Sequence, residues 1–284
     1  MVGKVTQLFR YPVKSMGGET LTDVHLGSHG IPGDRAWAVR DEQRGGIRGG
    51  KHFPQLMSCA AHYLTDPPLT GSAPAIVKLP DGAELSIDDE SMASRLSQLV
   101  RSPVTVWPLM PAEMLDHYLR GAPLLDDLEA EMRRIFARTA DEPLPDLGSF
   151  PEELMSYESP PGTYFDAFPL LLLTTQSLAH LSSLATDHNF DVRRFRPNLL
   201  IDANSSAPFP EQEWVGRKLL VGDAEVEITM DCPRCVMTTH GFQDLAKDPG
   251  IMRALVKEAN GNLGVYAKVT STATVSIGDP IEFS

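Results

Sequence analysis

The chain has 284 residues, 42% hydrophobic and 22% charged, and a formal net charge of −13, the profile of a globular protein long enough for about two domains. That acidity argues against nucleic acid and anionic membrane surfaces as partners, and no apolar run approaches the roughly 20 residues of a bilayer-crossing helix. Three cysteines suit a reducing compartment; they build no disulfide framework and fall one short of a four-thiolate iron–sulfur or zinc site.

The first hundred residues carry mostly strand signals. KVTQLFRYPVKS alternates apolar and polar residues, with no continuous apolar stretch of a secretory signal. AWAVRD follows a Pro32-Gly33 turn, and IVKLPDGAELSI reads as a hairpin around Pro80-Asp81-Gly82. Between strands, SMASRLSQLV predicts a helix with Met92, Leu96, Leu99 and Val100 on one stripe. PVTVWPL returns to strand. The expected unit over 1–107 is β-rich, with about seven short strands and more barrel than sandwich.

From 108 to 163 the composition shifts. DDLEAEMRRIFAR predicts an amphipathic helix with Leu128, Met132, Ile135 and Phe136 on one side. Pro143, Pro145, Pro151, Pro160 and Pro161 surround it, the signature of a connector with local helices that can overlie a cleft.

The second half, 164–284, restarts with FPLLLLTTQSLAHLSSL. An apolar strand enters a helix capped near Thr174 or Thr175, with Leu178, Leu181 and Leu184 inward. RFRPNLLID is a strand, and RKLLVGDAEVEITM is a hairpin over Gly222-Asp223. The next helix has Asp248 as N-cap, Pro249 first and Asn260-Gly261 at its end. GVYAKVT and TVSIGDPIEF complete a second β-dominated unit. The expected class is therefore β-dominated α+β, with a small N-terminal β-barrel-like domain and a second β-dominated domain with helices between its strands.

The hairpin ends in MDCPRCVMTT. The spacing of Cys232 and Cys235 leaves several readings open. They can be two small core residues, half of a zinc site, a redox dithiol, or one functional thiolate. A zinc site lacks a matching second pair, and a dithiol of the thioredoxin type expects a helix N-terminus where this motif follows a hairpin. Arg234 beside Cys235 favours a thiolate. The acidic chain also places cations at turns and strand ends: Lys14, Arg35, Arg48, Lys51, Arg193, Arg194, Arg196 and Arg234. Each alone is an ordinary surface charge. Converging, they would cradle an anion, expected to carry a phosphate, although no dinucleotide or P-loop fingerprint is present.

YPVKS at 11–15, GDRAWAV at 33–39, FPLLLLTTQSL at 168–178, FRPNLLID at 195–202, CPRCVMTT at 232–239 and the closing GDPIEF together resemble MOSC-domain proteins with the MOSC N-terminal barrel. Within these the likeness is to the branch that includes the mitochondrial amidoxime-reducing component and its bacterial relatives. The resemblance implies that the C-terminal domain is a MOSC β-barrel with flanking helices, and it implies a molybdenum cofactor (Mo-molybdopterin) with Cys235 as the protein ligand to the metal and the catalytic residue. It implies cofactor contacts from Lys14, Ser15, Arg35, Arg194, Asn198 and Arg234, with Thr174 and Ser177 from the intervening turn. It also implies reduction of a small N-hydroxylated substrate, such as an amidoxime, a hydroxylamine or an N-hydroxylated base. Cys232 is given no required role, and none of His240, Asp231 and Asp244 is assigned as a proton donor.

The chain has no cysteine after Cys235 for an iron–sulfur module and no N-terminal membrane anchor. A cytoplasmic protein fed by a separate electron donor, a reductase or ferredoxin-like protein, is expected. The rival is a molybdenum cofactor or sulfur carrier using Cys235 as ligand or persulfide site. A C-x-x-C interaction module without cofactor is the third alternative.

Overall fold

The computed structural model describes residues 1–284, the side chain of Ser149 excepted. The first part of the chain forms strands β1 (Gly3–Arg10), β2 (Glu19–Leu21), β3 (Asp23–Leu26), β4 (Trp37–Asp41), β5 (Ile47–Arg48), β6 (Ala60–His62), β7 (Ile76–Lys78) and β8 (Glu84–Ser86). Helix α1 (Met92–Val100) and strand β9 (Val104–Pro108) follow. The connector holds short helices α2 (Leu115–Tyr118), α3 (Leu128–Phe136) and α4 (Glu153–Ser156). The last part runs β10 (Leu170–Thr174), α5 (Thr175–Leu184), β11 (Leu199–Ala203), β12 (Lys218–Val221), β13 (Ala224–Pro233), α6 (Gly250–Ala259), β14 (Asn262–Ser271), β15 (Ala273–Ser276) and β16 (Pro280–Phe283).

Strands β11, β10, β14, β13, β12, β16 and β1 lie side by side in that order, and β1 also pairs with β11, so the seven close into a barrel. Only β10 and β11 are parallel, the arrangement that a helix such as α5 between them permits. The Leu170–Leu173 run is apolar throughout because both faces of β10 are covered. Leu170 and Leu172 enter the barrel interior with Val5, Leu8, Ile201, Val226 and Val265. Leu173 faces an outer layer with Phe9, Leu181, Phe195, Ile251 and Leu255, beneath α5 and α6.

Residues of the first hundred split between two cores. Sheets β5-β4-β9 and β6-β7-β8 close with α1 over Trp37, Val39, Leu56, Cys59, Met92 and Leu96. Strands β1 and β3 instead pair with the second half, β1 with β11 and β16 and β3 with β15. The chain's first strand is thus a stave of the barrel built by its last part.

Two helices expose residues that their apolar spacing turns inward. On α3, Leu128 is 72% exposed, whereas Glu131 is 2% exposed. Arg134 donates to both Glu131 oxygens at 2.7 and 2.8 Å, so an ion pair sets the buried face. On α5, Leu181 is buried but Leu184, at the last turn, is exposed. Helix α6 starts one residue later than its sequence signals, with Pro249 in the N-cap position, although Asp248 still accepts from the Gly250 amide at 3.0 Å; Asn260 and Gly261 end it at positive φ as expected.

Candidate functional site

A cleft of about 640 Å³, its open mouth included, forms where the two halves meet. Its walls come from the turn after β1 (Lys14, Ser15), the approach to β4 (Arg35), the entry to β10 (Asp166, Phe168, Leu171) and the turn before β11 (Arg194 to Arg196, Asn198). Cys232 to Cys235, Met237 and Tyr266 complete it. Sequence segments far apart converge because β1 is built into the barrel beside β11.

Three non-glycine residues of this wall adopt left-handed backbone conformations: Ser15 (φ 67°), Arg35 (φ 51°) and Arg196 (φ 55°). Each costs on the order of 1 kcal/mol, and such strain concentrates where side chains must be aimed. Around Tyr11 the aim is visible. The Arg196 guanidinium lies 4.1 Å from its ring centroid and that of Arg35 5.1 Å, while its hydroxyl donates to the Pro197 carbonyl at 3.0 Å. Asp34 accepts from the Tyr11 amide at 2.7 Å, from the Asn198 amide group at 3.1 Å and from Arg35.

The cleft's cations are not equivalent. Burial pushes the Arg35 pKa down, but Asp34, Tyr11 and Asp166 together outweigh it and hold it above its usual value. Arg194 is saturated: it donates to the carbonyls of Asn189, Thr238, His240 and Ala246 at 2.7 to 3.3 Å. Asn198 is likewise engaged, by the Leu171 amide, the Phe9 carbonyl and Asp34. Arg196 and Arg234 differ. Among the described residues neither has a carboxylate within ion-pair distance, and each keeps a buried donor with no partner, Nη2 of Arg196 and Nε of Arg234. Burial, then Arg35, pushes the Arg196 pKa down to about 10.

Lys14 donates to the Tyr164 carbonyl and to Asp166 Oδ1, both at 2.8 Å, and Lys51 Nζ lies 3.7 Å from the same oxygen. Burial pushes the Lys14 pKa down against the pull of Asp166. Desolvation at the cleft wall opposes ionisation of Asp166, but Lys14 and Lys51 win and hold its carboxyl well below the ordinary value. Lys51 reaches this point because its loop passes close over Ser15. A Cβ on Gly49 would lie 2.4 Å from Ser15 Oγ, leaving room only for glycine.

Cys235 is partly exposed and opens the one-turn 3-10 helix Val236–Thr239; its carbonyl accepts from the amide and hydroxyl of Thr238 at 3.2 and 3.0 Å. Cys232 is buried, and burial pushes its thiol pKa up. Phe168 and Tyr266 stand beside the motif with ring centroids 5.5 Å apart. Cys59 lies away from the cleft in the core of the first half, its pKa pushed up to about 12 by burial. Among the described residues, no group of three or more His, Cys, Asp or Glu side chains could hold a metal ion.

Of the residues singled out from sequence, Lys14, Ser15, Arg35, Arg194, Asn198, Arg234 and Cys235 line the cleft together. Thr174 and Ser177 do not. Thr174 caps α5, and both hydroxyls bind the buried carboxylate of Glu211 at 2.6 to 2.8 Å. Asp166, Phe168, Tyr266 and the Tyr11–Asp34 pair escaped the sequence reading. GDR and GTYFD spell two of them, but single acids and aromatics carry no spacing signal.

The MOSC domain family matches residues 161–282, and the MOSC N-terminal beta barrel domain family matches residues 2–107. The chain belongs to the MOSC-domain proteins. It is 26% identical over 307 residues to mitochondrial amidoxime reducing component 2 of Bos taurus, covering 99% of this chain and 83% of that one. It is 25% identical to the molybdenum cofactor sulfurase of Danio rerio, covering 98% of this MOSC protein and 34% of the sulfurase. Among solved structures, the YUAD protein from Bacillus subtilis aligns with 99% of this chain and 94% of its own at 11% identity, with a TM-score of 0.43. No helix among the described residues is long and apolar enough to cross a membrane.

Proposed function

We propose that this MOSC protein is a molybdenum-cofactor-dependent oxidoreductase that reduces N-hydroxylated compounds, with Cys235 as the protein ligand to molybdenum. One observation carries the reading: two guanidiniums without carboxylate partners, half-buried Arg196 and buried Arg234, line the cleft with Cys235, and each keeps a buried donor that no protein atom accepts. Buried charge of this kind calls for an anion, and a phosphate accepts from such forks. A metal at Cys235 would draw its remaining ligands from a bound group, because no cluster of protein donors surrounds it, and a soft thiolate suits a sulfur-rich metal set. The residues therefore fit a pterin that carries both sulfur ligands and a phosphate.

When bound, this cofactor supplies two-electron redox chemistry at an N–O bond. The chain's own part is positioning. Arg196 and Arg234 would hold the cofactor's anionic end, with Phe168, Tyr266, Ser15 and Lys14 lining the rest of the cleft. Cys235, partly exposed in the cleft wall, would offer its sulfur to the metal, and the substrate would be a small amidoxime, hydroxylamine or N-hydroxylated base. Electrons come from a separate donor protein, a reductase or ferredoxin-like. The unpaired state of all three cysteines agrees with a cytoplasmic setting. The similarity to an amidoxime reducing component supports amidoximes as substrates.

The kinship with a cofactor sulfurase favours a second reading, a sulfur or cofactor carrier using Cys235. Turnover separates the two. With benzamidoxime and a reduced viologen, the reductase reading expects many turnovers per chain and at least a ~100-fold loss in Cys235→Ala. A carrier gives no sustained turnover in wild type.

A further inference from the structure

We infer that Cys232 is a positioning residue: its buried sulfur, with the Phe195 carbonyl, fixes the Arg234 guanidinium at the cleft and leaves Nε–H unspent for the anionic ligand. The inference rests on the anion-binding reading of Arg196 and Arg234. Arg234 Nη1 donates to Cys232 Sγ at 2.9 Å and Nη2 to the Phe195 carbonyl at 2.6 Å. These two contacts fix the plane of the fork, and the third face, Nε, has no partner. Cys232 is only 2% exposed and Arg234 8%, so neither can trade its contact for water.

The choice of sulfur has a physical reason. Elsewhere in the molecule, carboxylates orient arginines and cancel their charge at the same time: Glu19 on Arg10, Asp34 on Arg35, Asp191 on Arg193. Burial keeps Cys232 a neutral thiol. A neutral acceptor orients the guanidinium while leaving its full charge for the ligand. The first cysteine of the motif therefore serves the arginine, and the second serves the metal.

The test uses inorganic phosphate as the probe, titrated calorimetrically into full-length, cofactor-free chains. Cys232→Ser keeps an acceptor of nearly the same shape and is expected to bind phosphate within about twofold of wild type, while Cys232→Ala loosens the fork and weakens binding about fivefold or more. Cys232→Asp orients the fork but quenches it, and is expected to be weakest. Melting temperatures identify any variant that fails to fold; in that case the Ser and Asp pair carries the comparison. Equal affinity across wild type, Ser, Ala and Asp would overturn the role of Cys232. Absence of phosphate binding by wild type itself would remove the anion-binding reading and this inference with it.

Discussion

At the residue scale, the cleft pairs saturated cations with unsaturated ones, and the two kinds should respond to substitution in opposite ways. Arg194 ties four backbone carbonyls together. Arg194→Ala strands those acceptors and is expected to destabilise the fold by about 3 kcal/mol or more in chemical denaturation. Arg196 is strained at φ 55°, lacks a carboxylate and buries a free donor. Arg196→Gln in the cofactor-free chain should leave the melting temperature unchanged or raised, while phosphate affinity falls about tenfold. A large loss of stability in Arg196→Gln would show that the residue is structural. Sequence alone could not separate these arginines. They sit two apart in RFRPN, and only the path of the chain shows that one is held by four carbonyls and the other by the Met16 carbonyl alone, with a donor left over. The same holds for Thr174 and Ser177, whose hydroxyls meet Glu211 from a loop more than thirty residues later.

At the element scale, the connector is pinned to the site by one buried cluster. Helix α3 packs against the Val236–Thr239 turn that follows Cys235. Arg134 donates to the Lys51 carbonyl at 2.8 Å, and His52 lies 3.7 Å from Glu131. Burial, aided by Arg48, pushes the His52 pKa from 6.5 down to about 3. The hydrogen bond from Arg134 lowers Glu131 from 4.5 to about 2. Both native values lie below the unfolded ones, so the stabilisation is present at neutral pH and lost on acidification. His52 gives it up as pH falls from 6.5 toward 3, and Glu131 from 4.5 toward 2. Hydrogen exchange over 128–136 should therefore accelerate below pH 6.5, and His52→Gln should flatten the upper part of that window. Exchange indifferent to pH after correction for the intrinsic rate would contradict the clamp. The amphipathic helix was legible in DDLEAEMRRIFAR, but its orientation was not, because a buried glutamate can outbid an apolar stripe only when a specific arginine and histidine meet it.

At the scale of the whole molecule, the barrel closes through pairings between strands far apart in the chain. β1 joins β16 across nearly the length of the chain, Gly3 opposite Ile281, and it joins β11, where Thr6 Oγ1 donates to the Leu200 carbonyl 194 residues away. A fragment starting at residue 108 lacks that stave and exposes the edges of β11 and β16. It should aggregate or show no cooperative unfolding transition. A soluble, cooperatively melting fragment would show that the barrel is complete without β1. The β-rich class and the order of elements were readable from alternation, turn residues and caps. That β1 and β3 serve the C-terminal sheet was not, since strand periodicity says which face is buried but not against which partner. Long-range pairing of this sort also predicts slow folding for the chain's size. The same closure brings Lys14, Ser15 and Arg35 to Arg196, Arg234 and Cys235, and so the site exists only in the complete molecule.

The most direct test of the account is molybdenum per chain, by elemental mass spectrometry, in protein expressed in a host that makes the cofactor. Wild type and Cys235→Ala are measured side by side. Near-stoichiometric molybdenum in wild type, lost or readily stripped in Cys235→Ala, is the predicted result. Well-folded wild type that carries no molybdenum would contradict it.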